Sequence, residues 1–244
     1  MDASVEPSFV MNQRYLFVIS PPYSGSTVLW RLLQTSNSVS ALPDEGQKLP
    51  ELRDEMRKNP WDPDRQFDWD VIKKTWHEYW DNTQPILLEK SPPHLCRSDQ
   101  LAVHFKPASF ILLLRDPLAT CEGLFRRNGL SWEEAAERWK AWLAMHLRCR
   151  ETLEDHQVVY YEDMTDNPST LCRQLSAWVP ALADVDWEAS VEAHAIDGQQ
   201  TRSLINLNAQ KIDAMGAEGS AAVIQRLREN PQLLRETPYA DLYL

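Results

Sequence analysis

Apolar positions along the chain fall into short continuous runs separated by longer stretches with helical spacing. The most continuous run covers Ser109–Leu114. Runs without polar alternation are typical of strands buried on both faces in a parallel sheet. A shorter run over Val39–Leu42 predicts one more strand. The main runs are Tyr15–Ile19, Ile86–Leu88, Ser109–Leu114 and Gln157–Tyr161.

The segments between these runs predict amphipathic helices. Asp68–Trp80 places its large apolar residues on one face, and Ser131–Glu134 has the form of a capping box that opens a helix to about Glu154. Asn167 and Pro168 predict the start of a helix that reaches about residue 179. Strands that alternate with helices predict an α/β fold, in which a mostly parallel sheet of four or five strands is flanked by helices.

The length of 244 residues predicts one domain over 1–244. Residues 1–13 are predicted to be a flexible N-terminal tail. The strand pattern ends after Pro180, so residues 181–244 are predicted to be a helical C-terminal extension of the same domain. Its predicted helices cover Trp187–Ala195, Asn208–Met215 and Ser220–Glu229.

Charge and cysteine content narrow the function classes. The net charge of −11 argues against non-specific binding to nucleic acid or to acidic membranes. The four cysteines form no C-x-x-C pair, which favours a reduced, cytoplasmic protein without a metal site. No signal peptide and no run of about 20 apolar residues is present. We therefore expect no nucleic-acid partner and no membrane partner.

The stretch after the first strand predicts an anion site. Ser24, Gly25, Ser26 and Thr27 lie between the strand and a helical stripe that begins at Val28. The first N–H groups of a helix have no partners within it, and the helix dipole favours negative charge there, so a phosphate is the expected ligand. A simple helix cap with a tight turn explains this stretch equally well. The ATP/GTP pattern G-x-x-x-x-G-K-[ST] is absent, which argues against an ordinary ATPase or GTPase.

Polar residues also follow the other predicted strands. Glu45 follows the second strand, Lys90 the third and Arg115 the fourth. Alone, Glu45 is more often a solvated loop residue, and Lys90 and Arg115 are more often surface charges or ion-pair partners of Glu89 and Asp116. Because parallel strands bring their carboxyl ends to one edge of the sheet, the group together indicates an anionic ligand.

In order and spacing, these segments resemble sulfotransferases that use PAPS (3′-phosphoadenosine 5′-phosphosulfate) as donor, a family that includes bacterial and tyrosyl-protein enzymes. The resemblance covers about residues 14–165 and implies the P-loop NTPase-like sulfotransferase fold. It is carried by Ser24–Thr27, Glu45, Glu89–Pro92, Arg115–Pro117 and Tyr161–Met164.

The resemblance implies a role for each matching position. Residues 23–27 (Tyr23, Ser24, Gly25, Ser26, Thr27) would hold the 5′-phosphosulfate of the donor PAPS, and Arg115 would hold its 3′-phosphate. Glu45 would be the catalytic base and Lys90 would stabilise the leaving oxygen. Tyr161 would line the donor site. PAP would be the product, and no metal would be needed.

Two positions depart from the family pattern. Tyr23 stands where the family has Lys or Arg, and its hydroxyl or Lys90 would have to replace that cation. Gly123 stands where the family has the serine that binds the 3′-phosphate. Arg126, Arg127 or the Gly123 N–H would have to compensate.

The sequence therefore predicts in-line sulfuryl transfer to a hydroxyl or amine, with Glu45 as base. The expected acceptor is a small molecule, because Trp61, Phe67 and Trp69 stand in or beside the variable connector. His94 and His104 are alternative bases. Two other functions stay open: a family member that binds PAP or PAPS without turnover, and a kinase-like nucleotide-dependent transferase.

Overall fold

The computed structural model describes residues 13–195 and 198–244. A five-stranded sheet with every neighbouring pair parallel runs in the order β2-β3-β1-β4-β5. The predicted mostly parallel α/β fold is therefore confirmed. The strands are β1 (Arg14–Ile19), β2 (Val39–Ala41), β3 (Ile86–Glu89), β4 (Ala108–Leu114) and β5 (His156–Tyr160).

Helices cover both faces of the sheet. They are α1 (Ser26–Leu33), α2 (Arg53–Met56), α3 (Trp69–Tyr79), α4 (Ser98–His104), α5 (Pro117–Asn128), α6 (Trp132–Thr152), α7 (Tyr161–Asp166), α8 (Pro168–Trp178), α9 (Asn208–Arg228), α10 (Pro231–Arg235) and α11 (Ala240–Tyr243). Short 3₁₀ helices cover Gly46–Lys48, Pro92–Cys96 and Pro180–Leu182. None of the helices in the described part of the chain is both long and apolar enough to cross a membrane.

The central strand β1 shows why the sheet needs both layers. Tyr15 and Phe17 face one side, where they pack with aromatic residues of α3 and with Phe105. Leu16 and Val18 face the other side, among apolar residues of α1 and α8. Because alternate residues of a strand point to opposite faces, an unbroken apolar run requires a core on each side.

Local sequence signals set several helix starts. Ser131 and Glu134 form the predicted capping box at the start of α6. The Asp68 carboxylate accepts the backbone N–H of Val71 and so caps α3. Pro168 occupies the first turn of α8, where its missing N–H has no intrahelical role.

The C-terminal part differs from its prediction at one element. The predicted helix over Trp187–Ala195 is wrong, because Val191–Ala195 forms strand β6 and pairs antiparallel with β7 (Gly198–Arg202). The sequence Val-Glu-Ala-His-Ala alternates apolar and polar residues, which suits a strand. From Asn208 onward the chain is helical, and α9 is interrupted at Gly216 (φ 69°, ψ 177°), between the two helices predicted there.

The predicted N-terminal tail, residues 1–13, lies outside the described residues except for Gln13. That residue is buried, and its amide donates hydrogen bonds to the carbonyls of Asn82 (2.9 Å) and Gln84 (2.8 Å). Gln13 therefore belongs to the folded body at the start of β1.

Candidate active site

A cavity of about 530 Å³ lies where the carboxyl ends of the five parallel strands meet. Residues that follow each strand line it, as expected for the ligand edge of an open α/β sheet. The predicted site residues lining the cavity are Tyr23, Gly25, Ser26, Thr27, Glu45, Lys90, Arg115, Arg127 and Tyr161. Ser24 and Gly123, which were also predicted, do not line it.

The loop between β1 and α1 has the backbone form of an anion cradle. Gly25 has φ 88°, in the left-handed region that favours glycine, and α1 begins at the next residue. A Cβ at position 25 would lie 2.5 Å from Cδ2 of Tyr161, so the aromatic ring also requires glycine there. No side chain in the described residues caps this helix, and the buried hydroxyl of Ser24 has no hydrogen-bond partner among them.

Glu45 and Lys90 form a close pair inside the cavity. Lys90 Nζ lies 2.8 Å from Glu45 Oε1, and only 4% of the Lys90 side chain and 13% of the Glu45 side chain are exposed. Lys90 Nζ also donates to Thr27 Oγ1 at 3.4 Å. A carboxylate, an ammonium group and the first turn of α1 thus meet at one place.

The charge of Glu45 is stabilised in spite of its burial. Burial by itself raises the pKa of Glu45, but the charge and hydrogen bond of Lys90 outweigh it, and the net pKa is below its ordinary value. Lys48 and the Gln47 amide, which donates to Glu45 Oε2 at 2.7 Å, act in the same direction. The carboxylate is therefore ionised at neutral pH and able to accept a proton.

A buried carboxylate, Glu89, ties this pair to the sheet. Its Oε1 accepts the backbone N–H of Gly46 (2.8 Å) and the hydroxyl of Ser91. Its Oε2 lies 2.8 Å from Nε2 of His94, which is buried among aromatic rings. Glu89 thus fixes the loop that carries Glu45 against the segment that carries Lys90.

Neither His94 nor His104, the alternative bases, lines the cavity.

Arg115 is buried at the end of β4 and is held mainly by neutral groups. Its Nε donates to Asn208 Oδ1 at 2.8 Å, and its Nη1 donates to the carbonyl of Tyr23 at 3.3 Å. The guanidinium carbon lies 3.8 Å from the ring centroid of Tyr161. Its Nη2 is buried without a hydrogen-bond partner among the described residues.

Two neighbouring carboxylates are occupied by other donors. Asp116 accepts from the Tyr243 hydroxyl and caps α5 through the Ala119 N–H (3.0 Å). Glu162 accepts from Asn208 Nδ2 and, at 2.8 Å, from the Tyr239 hydroxyl. Within the described chain, no carboxylate lies within ion-pair distance of Arg115. Glu162 and Asp116 therefore act on the charge of Arg115 only from a longer distance.

Sequence reasoning missed Lys211 of α9, a buried cation of the cavity in addition to Lys90 and Arg115. Its Nζ donates to Glu122 Oε2 at 2.5 Å and to the carbonyl of Ala119 at 3.1 Å, and the residue lines the cavity. Burial, with the nearby Arg115 charge, lowers the pKa of Lys211 to about 8. Asn208 and Lys211 are three residues apart on one helix face, which is the only signal in the sequence.

The two positions that depart from the family pattern are in contact. The Tyr23 ring lies over Gly123 of α5, and its hydroxyl donates to Asn128 Oδ1. Burial raises the pKa of Tyr23, although the charges of Arg127 and Arg126 oppose this change. Arg126 and Arg127 both line the cavity beside Tyr23.

The remaining wall is largely apolar. Trp61 lines it together with prolines at positions 60, 92 and 93, and Arg57 and Lys48 add positive charge. Phe67 and Trp69, which were expected near the acceptor, do not line it. Within residues 13–195 and 198–244, no group of three or more His, Cys, Asp or Glu side chains is arranged to hold a metal ion.

Comparisons with known proteins identify the fold and the family. The sequence model of the sulfotransferase family matches residues 16–188. No curated protein sequence matches the chain significantly.

Several solved sulfotransferase structures resemble the chain. A mouse sulfotransferase (SULT7A1) complexed with PAP has a TM-score of 0.53 at 10% identity, covering 97% of this chain and 90% of its own. Sulfotransferase STF9 from Mycobacterium avium has a TM-score of 0.51 at 19% identity, covering 91% and 69% respectively. A sulfotransferase from Alicyclobacillus acidocaldarius has a TM-score of 0.50 at 15% identity, covering 90% and 97%. At these identities the likeness concerns the fold.

Proposed function

Because this chain belongs to the sulfotransferase family, we propose that it transfers a sulfuryl group from PAPS to a hydroxyl or amine of a small-molecule acceptor. One observation carries the proposal: an ionised carboxylate paired with a buried lysine shares a cavity with a buried arginine, one of whose N–H donors has no partner in the described part of the chain. The three groups are Glu45, Lys90 and Arg115.

The residues present suit a donor with phosphate at both ends of its nucleoside. Arg115 Nη2, a buried donor without a partner among the described residues, marks a place where an anionic oxygen would complete the hydrogen bonding. The uncapped first turn of α1 would bind the 5′-phosphosulfate. Arg115, with Lys211 nearby, would bind the 3′-phosphate.

Bound PAPS supplies the sulfuryl group and a phosphate leaving group. Glu45 takes the proton of the acceptor hydroxyl or amine while the acceptor oxygen or nitrogen forms the bond to sulfur. Lys90 donates to the bridging oxygen as the bond between sulfur and that oxygen breaks, and PAP leaves. The 2.8 Å contact of the two side chains holds both groups ready on one side of α1.

The wall around Trp61 favours a small acceptor with an apolar or aromatic body. Proline and tryptophan side chains supply apolar contact area, and Arg57 favours an acceptor that carries negative charge, whereas Lys48 is already paired with Asp44 and Glu45. A hydroxyl or amine at the end of such a molecule would reach Glu45, which lines the same cavity.

Calorimetric titration with PAP and AMP tests the donor site. AMP lacks the 3′-phosphate, so we expect clearly tighter binding of PAP by the wild-type protein. Replacing Arg115 by Met should weaken PAP binding by about 10- to 100-fold, because a charge-assisted hydrogen bond to phosphate contributes about 1.5–3 kcal/mol. AMP binding should change little.

Arg173→Met is the matched control, because Arg173 is an exposed residue of α8 outside the cavity. Equal affinities of the wild type for PAP and AMP would refute PAPS as donor. Preference for ATP over PAP would favour the kinase-like alternative.

A second candidate is a protein that binds PAP or PAPS without turnover. One observation favours it: Tyr23 replaces the cation of the phosphosulfate loop, and its hydroxyl is directed to Asn128 rather than to Lys90. Incubation with labelled PAPS and a panel of phenols, alcohols and amines separates the two functions. Tight PAP binding without transfer to any acceptor would support the second.

A further inference from the structure

Gly123 and Tyr23 are packed so closely that a side chain at position 123 would collide with Tyr23. A Cβ at position 123 would lie 2.7 Å from Cγ and 2.9 Å from Cβ of Tyr23. Real Cβ atoms essentially never approach other atoms this closely. The ring thus occupies the place that any side chain at position 123 would need, including a serine hydroxyl.

The backbone of Tyr23 has an uncommon conformation beside this contact. Its φ is 65°, in the left-handed region that a residue with a bulky side chain rarely adopts. Such conformations persist where the surroundings determine them. Here the ring is held on Gly123 and the hydroxyl is held by Asn128.

The same backbone conformation sets the direction of the Tyr23 carbonyl, which accepts from Arg115 Nη1 at 3.3 Å. Asn208 holds Nε on the other side of the guanidinium. The Tyr23 carbonyl and Asn208 together orient the buried guanidinium of Arg115, and its Nη2 has no hydrogen-bond partner among the described residues. The contact of Tyr23 with Gly123 is therefore connected to the orientation of Arg115 through a single hydrogen bond.

We propose that Tyr23 and Gly123 act as one interlocked pair that positions Arg115 for the 3′-phosphate of the donor nucleotide. The two departures from the family pattern are then one coupled exchange: the ring replaces the serine, and the carbonyl beneath it orients the arginine. Tyr23 is a positioning residue in this arrangement. The inference rests on the proposed function, because it assumes a donor with a 3′-phosphate.

A double-mutant cycle with G123S, Y23G and the double variant tests the pair. G123S should weaken PAP binding by about tenfold and AMP binding by less, because the serine displaces the Tyr23 ring and the carbonyl that orients Arg115. Glycine adopts φ 65° without strain and leaves room for serine. The double variant Y23G/G123S should therefore bind PAP more tightly than G123S.

Gly219→Ser is a matched control for the steric change. A Cβ at Gly219 would lie 2.7 Å from Trp132, so it meets an aromatic ring in the same way, but neither residue lines the cavity. This variant should lower the melting temperature without changing the ratio of PAP to AMP affinity. G123S should change that ratio, which a merely structural role would not.

The outcomes separate the inference from the proposed function. If the wild type binds PAP and AMP equally, the proposed function fails and the inference fails with it. If the wild type prefers PAP and G123S keeps the full preference, only the inference is overturned. Effects of Y23G and G123S that simply add would also overturn it, because interlocked residues must show coupling.

Discussion

Lys90 and Arg115 follow the strands on either side of β1, yet they are held in contrasting ways. Lys90 is paired with a carboxylate, Glu45, at 2.8 Å. Arg115 has no carboxylate within ion-pair distance in the described chain, although Asp116 and Glu162 lie close to it in the fold. An amide oxygen and a backbone carbonyl hold it instead.

The difference matches the charge that each cation would meet. In the proposed reaction, the charge on the leaving oxygen develops only during transfer, so Lys90 can be neutralised by the base at rest. The 3′-phosphate is charged throughout, and Arg115, which has no carboxylate within ion-pair distance in the described chain, is suited to bind it, whereas Lys211 is already paired with Glu122. The hydroxyls of Tyr239 and Tyr243 contribute by occupying the nearby carboxylates.

The largest effect is expected from a variant that removes the ion pair between Lys90 and Glu45. Lys90→Met should reduce kcat for sulfuryl transfer by about 10²–10³-fold, because it removes a donor to developing charge in a water-poor site. Steady-state kinetics with PAPS and a phenolic acceptor measure this effect. The PAP affinity should fall much less than kcat.

The same variant should move the acid limb of kcat/KM. Glu45 acts as base only when ionised, so the wild-type limb should lie below pH 4.5, the ordinary value that Lys90 depresses. Without Lys90, the effect of burial on the pKa of Glu45 is less opposed, so this pKa should rise. The acid limb of kcat/KM should then move to higher pH. Lys74→Met, an exposed lysine of α3 outside the cavity, is the control. An unchanged limb in Lys90→Met would mean that Glu45 is not the base.

A smaller effect is expected from the groups that hold Arg115. Asn208→Ala removes the acceptor of Arg115 Nε and a donor to Glu162. The guanidinium should then be less well oriented, and PAP affinity should fall by about tenfold while AMP affinity is retained. Calorimetry measures both. Equal losses for PAP and AMP would show that Asn208 acts on the whole cavity rather than on Arg115.

The sequence predicted the sheet and the convergence of polar groups because both depend on local patterns. An apolar run of strand length predicts a strand buried on both faces, and parallel strands must end at the same edge. The turn at Gly25 could be anticipated for the same reason. The hairpin of β6 and β7 was missed, because the alternation over Val191–Ala195 was overlooked after the main sheet ended.

The missed site features depend on contacts between distant parts of the chain. Lys211 reaches the cavity only because α9 packs across α5, and its spacing from Asn208 on one helix face is a weak signal in the sequence. Three strands, β2, β3 and β4, lie between Tyr23 and Gly123 in the sequence, so their contact has no local signature. For this reason the sequence showed them as two separate losses.

The smallest effect concerns Lys211, the cation whose charge can be removed by pH alone. Because its pKa lies at about 8, it is mainly protonated at pH 7 and mainly neutral at pH 9. Phosphate is fully ionised over this range, since its second pKa is about 6. PAP affinity should therefore fall as the pH rises through about 8, by about threefold between pH 7 and pH 9.

Lys211→Met distinguishes this titration from other changes with pH. The variant should bind PAP more weakly at pH 7, and its PAP affinity should no longer fall between pH 7 and pH 9. The control Lys74→Met should have the wild-type affinity at pH 7 and the wild-type fall in affinity. If wild type and Lys211→Met show parallel declines, another group titrates and Lys211 does not bind the phosphate. A decline confined to proteins with Lys211 would mean that the donor site has two cations of different kinds. Arg115 would keep its charge at every working pH, and Lys211 would adjust the affinity.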